Sequence, residues 1–74
     1  MLPIIDMQET GKNITRLRKR NNFTVRELQA VFGFSTPQAI YKWQNGSTLP
    51  MVDNLLVLSI LFHVQIEDIL VVKE

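Results

Sequence analysis

Apolar residues recur along this chain at helical spacing. Ile14 and Leu17 stand three apart in a polar stretch. Val25, Leu28 and either Val31 or Phe32 continue the pattern, and Ile40 and Trp43 repeat it. Residues three and four apart share one helix face, so each set marks an inward stripe. The run from Leu55 to Val64 is apolar except at Ser59 and His63. It falls well short of the about 20 residues a bilayer span requires and reads as a buried helix. Only Leu2 to Ile5 is compatible with a strand. No repeat or low-complexity segment interrupts the chain.

Capping residues divide the pattern into five short helices. Asp6 with Glu9 has capping-box spacing and starts helix 1 near Met7. Gly11 lies inside that helix and weakens it by about 1 kcal/mol relative to alanine. The helix ends near Asn21-Asn22, a pair that tolerates left-handed backbone. Thr24 and Glu27 form a second capping box opening helix 2, and Gly33 stops it. Ser35 or Thr36 caps helix 3, with Pro37 in its first turn and Asn45-Gly46 at its end. Helix 4 follows Pro50 and ends near Phe62, and Gln65 to Leu70 supports a last short helix.

Composition narrows the function. The 74 residues make one small domain over 1–74, with an N-terminal arm over 1–6 and a short tail over 71–74. A doubly wound α/β enzyme does not fit this length. There is no cysteine and one histidine, which excludes a disulfide scaffold, a thiolate zinc site, a thiol nucleophile and a histidine metal cluster. We expect no catalytic residue, no cofactor and no metal. The start has no basic region and does not read as a signal peptide, so the simplest location is the cytoplasm.

The net charge of +1 conceals a division. Residues 1–11 carry Asp6 and Glu9, a balance of −2. Residues 12–45 carry seven cations (Lys12, Arg16, Arg18, Lys19, Arg20, Arg26 and Lys42) against Glu27, a balance of +6. Residues 46–74 carry Lys73 against Asp53, Glu67, Asp68 and Glu74, a balance of −3. Such a basic block is either a solvated helix face or the footprint of a polyanion partner.

Helix 3 alone, whose outer face also reads as an ordinary polar surface, does not decide between these; its setting does. Opposite Ile40 and Trp43, Gln38, Tyr41, Lys42 and Asn45 fall at i, i+3, i+4 and i+7. This face contains amides, a phenol and an ammonium, with no carboxylate. Gln38 can bond adenine bidentately, and Lys42 can reach guanine or a phosphate. Tyr41 meets a base or a phosphate, or is simply exposed. Two capped helices joined by a short turn, the second polar and cationic outside, are what a major-groove reader requires.

From Gly11 to Leu70, about four-fifths of the chain, the sequence resembles the phage-repressor-type (XRE, Cro/repressor-like) helix-turn-helix family. The resemblance rests on Ile14-Thr15-Arg16-Leu17-Arg18, Phe23-Thr24-Val25-Arg26-Glu27-Leu28, Phe32-Gly33-Phe34-Ser35, Ile40-Tyr41-Lys42-Trp43-Gln44-Asn45-Gly46, Leu49-Pro50 through Leu55-Leu56 to Leu58, and Val64-Gln65-Ile66-Glu67-Asp68-Ile69-Leu70. It implies an all-α fold: a five-helix lambda-repressor-like DNA-binding domain with the helix-turn-helix at helices 2 and 3. It also implies a transcriptional regulator that binds double-stranded DNA, most often as a dimer. By the same resemblance helix 3 is the recognition helix, with Thr36, Gln38 and Lys42 at base-reading positions, where we also place Tyr41. Thr24, Arg26, Asn45, Gly46, Ser47 and Thr48 occupy phosphate-contacting positions.

The chain departs from the family pattern at four places. The turn between helices 2 and 3 is one residue longer. Gln29 replaces a small alanine, and a longer turn would make room for it. Arg18 faces Gln44 where a glutamate is usual, so an amide acceptor replaces an ion pair. His63 replaces a helix-ending glycine and can still adopt left-handed backbone. In helix 4, Val57 and Ile60 form an exposed apolar pair unless covered by the arm Leu2-Pro3-Ile4-Ile5, the tail Val71-Val72 or a second subunit; we favour a homodimer contact. The function expected is sequence-specific DNA binding. The alternative is a protein–protein interaction module that kept the fold without DNA binding. Neither a membrane nor a small-molecule substrate is expected as a partner.

Overall fold

In the computed structural model, which describes residues 2–73, the order is β1 (Ile4–Ile5), α1 (Met7–Arg20), α2 (Val25–Phe32), α3 (Gln38–Asn45), α4 (Val52–Phe62), α5 (Ile66–Ile69) and β2 (Val72–Lys73). α1 and α2 begin at their capping residues, and α2, α3 and α4 end at left-handed ones. Asp6 Oδ1 accepts the Glu9 N–H at 3.1 Å and starts α1. Gly33 and Gly46 end α2 and α3 in the left-handed region, at φ +70° and +81°. His63 does the same for α4 at φ +57°, so the imidazole takes the place expected of a glycine.

The predicted inward stripes meet in one core of Ile14, Leu17, Leu28, Ile40, Trp43, Leu55, Leu58, Phe62 and Ile69. Phe32, rather than Val31, turns toward it; Val31 is exposed. α1 packs most extensively against α3. At their closest point, a Cβ built on Gly11 would lie 2.5 Å from the carbonyl oxygens of Trp43 and Gln44. A Cβ on Gly46 would lie 2.9 Å from the Gln8 Cα. The end of α3 thus rests directly on the backbone of α1, and Gly11 is there for contact distance.

Three features correct the sequence reading. First, the stretch compatible with a strand forms one at Ile4–Ile5, and the tail supplies an unexpected partner: Ile4 pairs with Lys73 and Ile5 with Val72 in a two-stranded antiparallel sheet. Buried Thr10 supports it, its hydroxyl accepting the Val71 N–H at 2.9 Å, while the Asp6 N–H donates to the Val71 carbonyl at 2.7 Å. The Asn13 amide donates to the carbonyls of Asp68 and Ile69 at 2.8 and 2.9 Å, so α1 holds the chain's end at two successive turns. Second, neither Ser35 nor Thr36 caps α3. Pro37 occupies the cap position, and no side chain bonds the first turn. Third, Val57 is half-buried; the apolar residues that α4 turns outward are Val52, Leu56 and Ile60, which follow one another at helical four-residue spacing. No helix among the described residues is long and apolar enough to cross a membrane.

Gly11→Ala tests the contact between α1 and α3. Helix propensity alone favours alanine by about 1 kcal/mol. We expect the reverse sign, a loss of about 1–3 kcal/mol from overpacking against backbone that has nowhere to retreat. Urea denaturation measures it.

Candidate functional site

The site is built on α2, the turn Gly33 to Pro37, and α3. Thr24 and Glu27 make the reciprocal capping box expected of them. The Glu27 N–H donates to Thr24 Oγ1 at 3.0 Å, and the Thr24 N–H donates to Glu27 Oε1 at 2.9 Å. The bond from the Thr24 N–H first, and the nearby Thr24 side chain second, hold the Glu27 carboxyl below the usual glutamate range. Arg26 follows the cap and is exposed.

α3 is mounted by its inward side. Ile40 and Trp43 are buried, and the Trp43 ring is met edge-on by Phe32 at 5.4 Å and by Phe34 at 5.9 Å between centroids. At its C-terminal end, the half-buried Arg18 donates from Nε to Gln44 Oε1 and from Nη1 to the Phe23 carbonyl, both at 2.8 Å. The neutral amide keeps this tie between α1 and α3 without an ion pair.

The opposite side of α3 is open. Thr36, Gln38, Tyr41 and Lys42 are all exposed, Tyr41 by 51%. Thr24, Arg26, Asn45, Ser47 and Thr48 are exposed as well, and Gly46 is half-buried against α1. An open groove of about 570 Å³ runs between α2 and α3, and Arg26 and Tyr41 both line it, with Val25, Phe34 and Pro37. The phenol therefore shares a groove with the cation of α2. After α3, Asn45 Oδ1 accepts both the N–H and the hydroxyl of Ser47, at 2.9 and 2.6 Å, and the Lys42 carbonyl accepts the N–H groups of Ser47 and Thr48. That loop is shaped by its own hydrogen bonds. Val57 and Ile60 lie outside this assembly, on α4.

Three residues make hydrogen bonds that a residue-by-residue reading does not give. Gln29 spans the α2–α3 turn, its amide donating to the Phe34 carbonyl at 3.2 Å. Its signal in the sequence is a large polar side chain beside an elongated turn. Thr10 and Asn13 carry no such signal, since their partners are backbone atoms more than fifty residues away.

A capped helix, a five-residue turn and a second helix held by its inward side define a helix-turn-helix domain. The helix-turn-helix family model matches residues 14–69. The chain belongs to this family, of the XRE type. Among solved structures it is similar to the crystal structure of the DNA-binding domain of BldD, with a TM-score of 0.71 and 14% identity, over 88% of this chain and 93% of that one. That likeness is one of fold. No curated protein matches the chain.

Thr24→Ala removes the side-chain acceptor of the capping box and is expected to cost about 1 kcal/mol in thermal unfolding. Folding lowers the Glu27 pKa, so the box contributes fully above the unfolded-state value and is lost as the pH falls through the folded-state value. Glu27→Gln should flatten that acid limb of the stability profile.

Proposed function

We propose that this chain is a transcriptional regulator that binds double-stranded DNA in a sequence-specific manner, with α3 in the major groove. The observation that carries this reading is the outer face of α3, where Gln38, Tyr41 and Lys42 are exposed, free of carboxylates and backed by a helix side fixed in the core. Amide and ammonium groups at this spacing suit base edges, with Thr36 at the helix entrance. Thr24, Arg26, Asn45, Ser47 and Thr48 flank that face and suit the phosphates on either side. The BldD domain, whose fold this chain shares, is itself a DNA-binding domain.

A second copy suits α4. Val52, Leu56 and Ile60 expose 77%, 52% and 65% of their surface along one line, with exposed Asp53 at its N-terminal edge. Such an apolar stripe can meet its own copy about a two-fold axis and space two α3 helices about 34 Å apart, one turn of duplex. Ile60 belongs to this contact, and Val57 lies at its edge.

Fluorescence anisotropy with duplex DNA over a salt series tests the first reading. Binding should weaken steeply with salt. Lys42→Ala should cost about 1–3 kcal/mol at one base pair if the ammonium reads a base, or weaken all sequences alike if it meets phosphate. Absence of binding to any duplex refutes the proposal. Sedimentation tests the second: the wild type should dimerise and Ile60→Glu should not, and a wild type that stays monomeric at high concentration excludes the α4 contact.

A further inference from the structure

We propose that Gln29 is a positioning residue, setting the pose of the N-terminal end of α3 and with it the discrimination between DNA sequences. The inference rests on the DNA-binding reading above. It starts from an imbalance in how α3 is held. Its C-terminal end is fixed by the backbone contact at Gly11 and by the Arg18–Gln44 bond. Its N-terminal end has no side-chain cap, and Pro37 has no N–H to give. Among the described residues, the N–H groups of Ser35 and Thr36 make no hydrogen bond within the chain. The tethers of the turn therefore end at Phe34.

Gln29 grips Phe34 at both of its backbone atoms. The Gln29 carbonyl accepts the Phe34 N–H at 3.1 Å, and the Gln29 side-chain amide donates to the Phe34 carbonyl at 3.2 Å. The first bond belongs to the ordinary ending of a helix at a left-handed glycine. The second is available only because residue 29 is long and carries a donor. The Phe34 ring in turn lies parallel to Phe32, 5.2 Å away and 9° from coplanar, and meets Trp43 edge-on. Trp43 is the inward anchor of α3. The line of force thus runs from the Gln29 amide through Phe34 and Trp43 into α3, whose near end carries Thr36 and Gln38. Base reading requires its donors to be held within about 0.5 Å of their working geometry. The phosphate contacts proposed above stand at the start of α2 and at the far end of α3 and the loop after it, away from this end. Loosening this end should therefore reduce discrimination while leaving non-specific affinity in place.

The test uses Gln29→Met, which keeps the side chain's length and removes the donor. Affinity is measured for a duplex recovered by selection from a random pool and for a scrambled duplex, across a salt series. The expected result is a roughly tenfold fall in the ratio of the two affinities, from loss on the selected duplex alone, with an unchanged salt slope. Amide hydrogen exchange should quicken from Phe34 to Gln38 and stay as it is in α1. An unchanged ratio in a wild type that discriminates overturns this inference and spares the DNA-binding reading. So does a parallel fall in both affinities together with the melting temperature, which marks a structural role only. A wild type that binds no duplex overturns both. Should the methionine variant not fold, Gln29→Asn, one methylene short of reaching Phe34, makes the same comparison.

Discussion

The close approach of α1 to the end of α3 is the constraint on which the rest of the domain depends. Gly11 brings the backbone of α1 against the carbonyls of Trp43 and Gln44, and Gly46 lets the exit from α3 pass over Gln8. The two glycines thus leave no side chain between the backbones at these two points. Farther along α1, Arg18 bonds Gln44, and Ile40 and Trp43 join Ile14 and Leu17 in the core. The outer face of α3 points to solvent because its inner face has been drawn onto α1.

The two ends of α3 are secured by different physics. At the C-terminal end, backbone meets backbone and a charged donor meets an amide. At the N-terminal end, rings and one side-chain amide replace the missing cap. Close packing has a steep repulsive wall and resists displacement, whereas a single hydrogen bond in a half-buried turn contributes about 1 kcal/mol. The end that carries Thr36 and Gln38 is accordingly the more adjustable one. The groove shared by Arg26 and Tyr41 opens at that end.

α1 also organises the terminus of the chain. Thr10 and Asn13 bond the backbone from Asp68 to Val71, which delivers Val72 and Lys73 to the arm. An isolated two-stranded sheet is marginal in water. Here it forms because both strands leave residues already fixed on α1. Arm and tail pair with each other, and the Val52, Leu56 and Ile60 side of α4 stays exposed.

Helix boundaries, the core and the polar face of α3 were legible in the sequence, because each depends on contacts within a few residues. The side-chain cap at Asp6, the capping box at Thr24, left-handed stops at Gly33, Gly46 and His63, and three-residue apolar spacing are all local chemistry. The acceptor role of Gln44 was legible too, from one substitution in a familiar pattern. What the sequence left open or misplaced has a common cause. Whether Phe32 or Val31 turns inward, whether Val57 or Leu56 faces out, and what holds the tail depend on the angles at which helices meet. Those angles follow from distances such as that between Gly11 and the α3 carbonyls, and no local pattern encodes them. Gly11 shows the division most clearly: the sequence by itself presents it as a weak point in a helix, and only the tertiary structure makes it a contact, because a missing Cβ acquires meaning from what occupies the space.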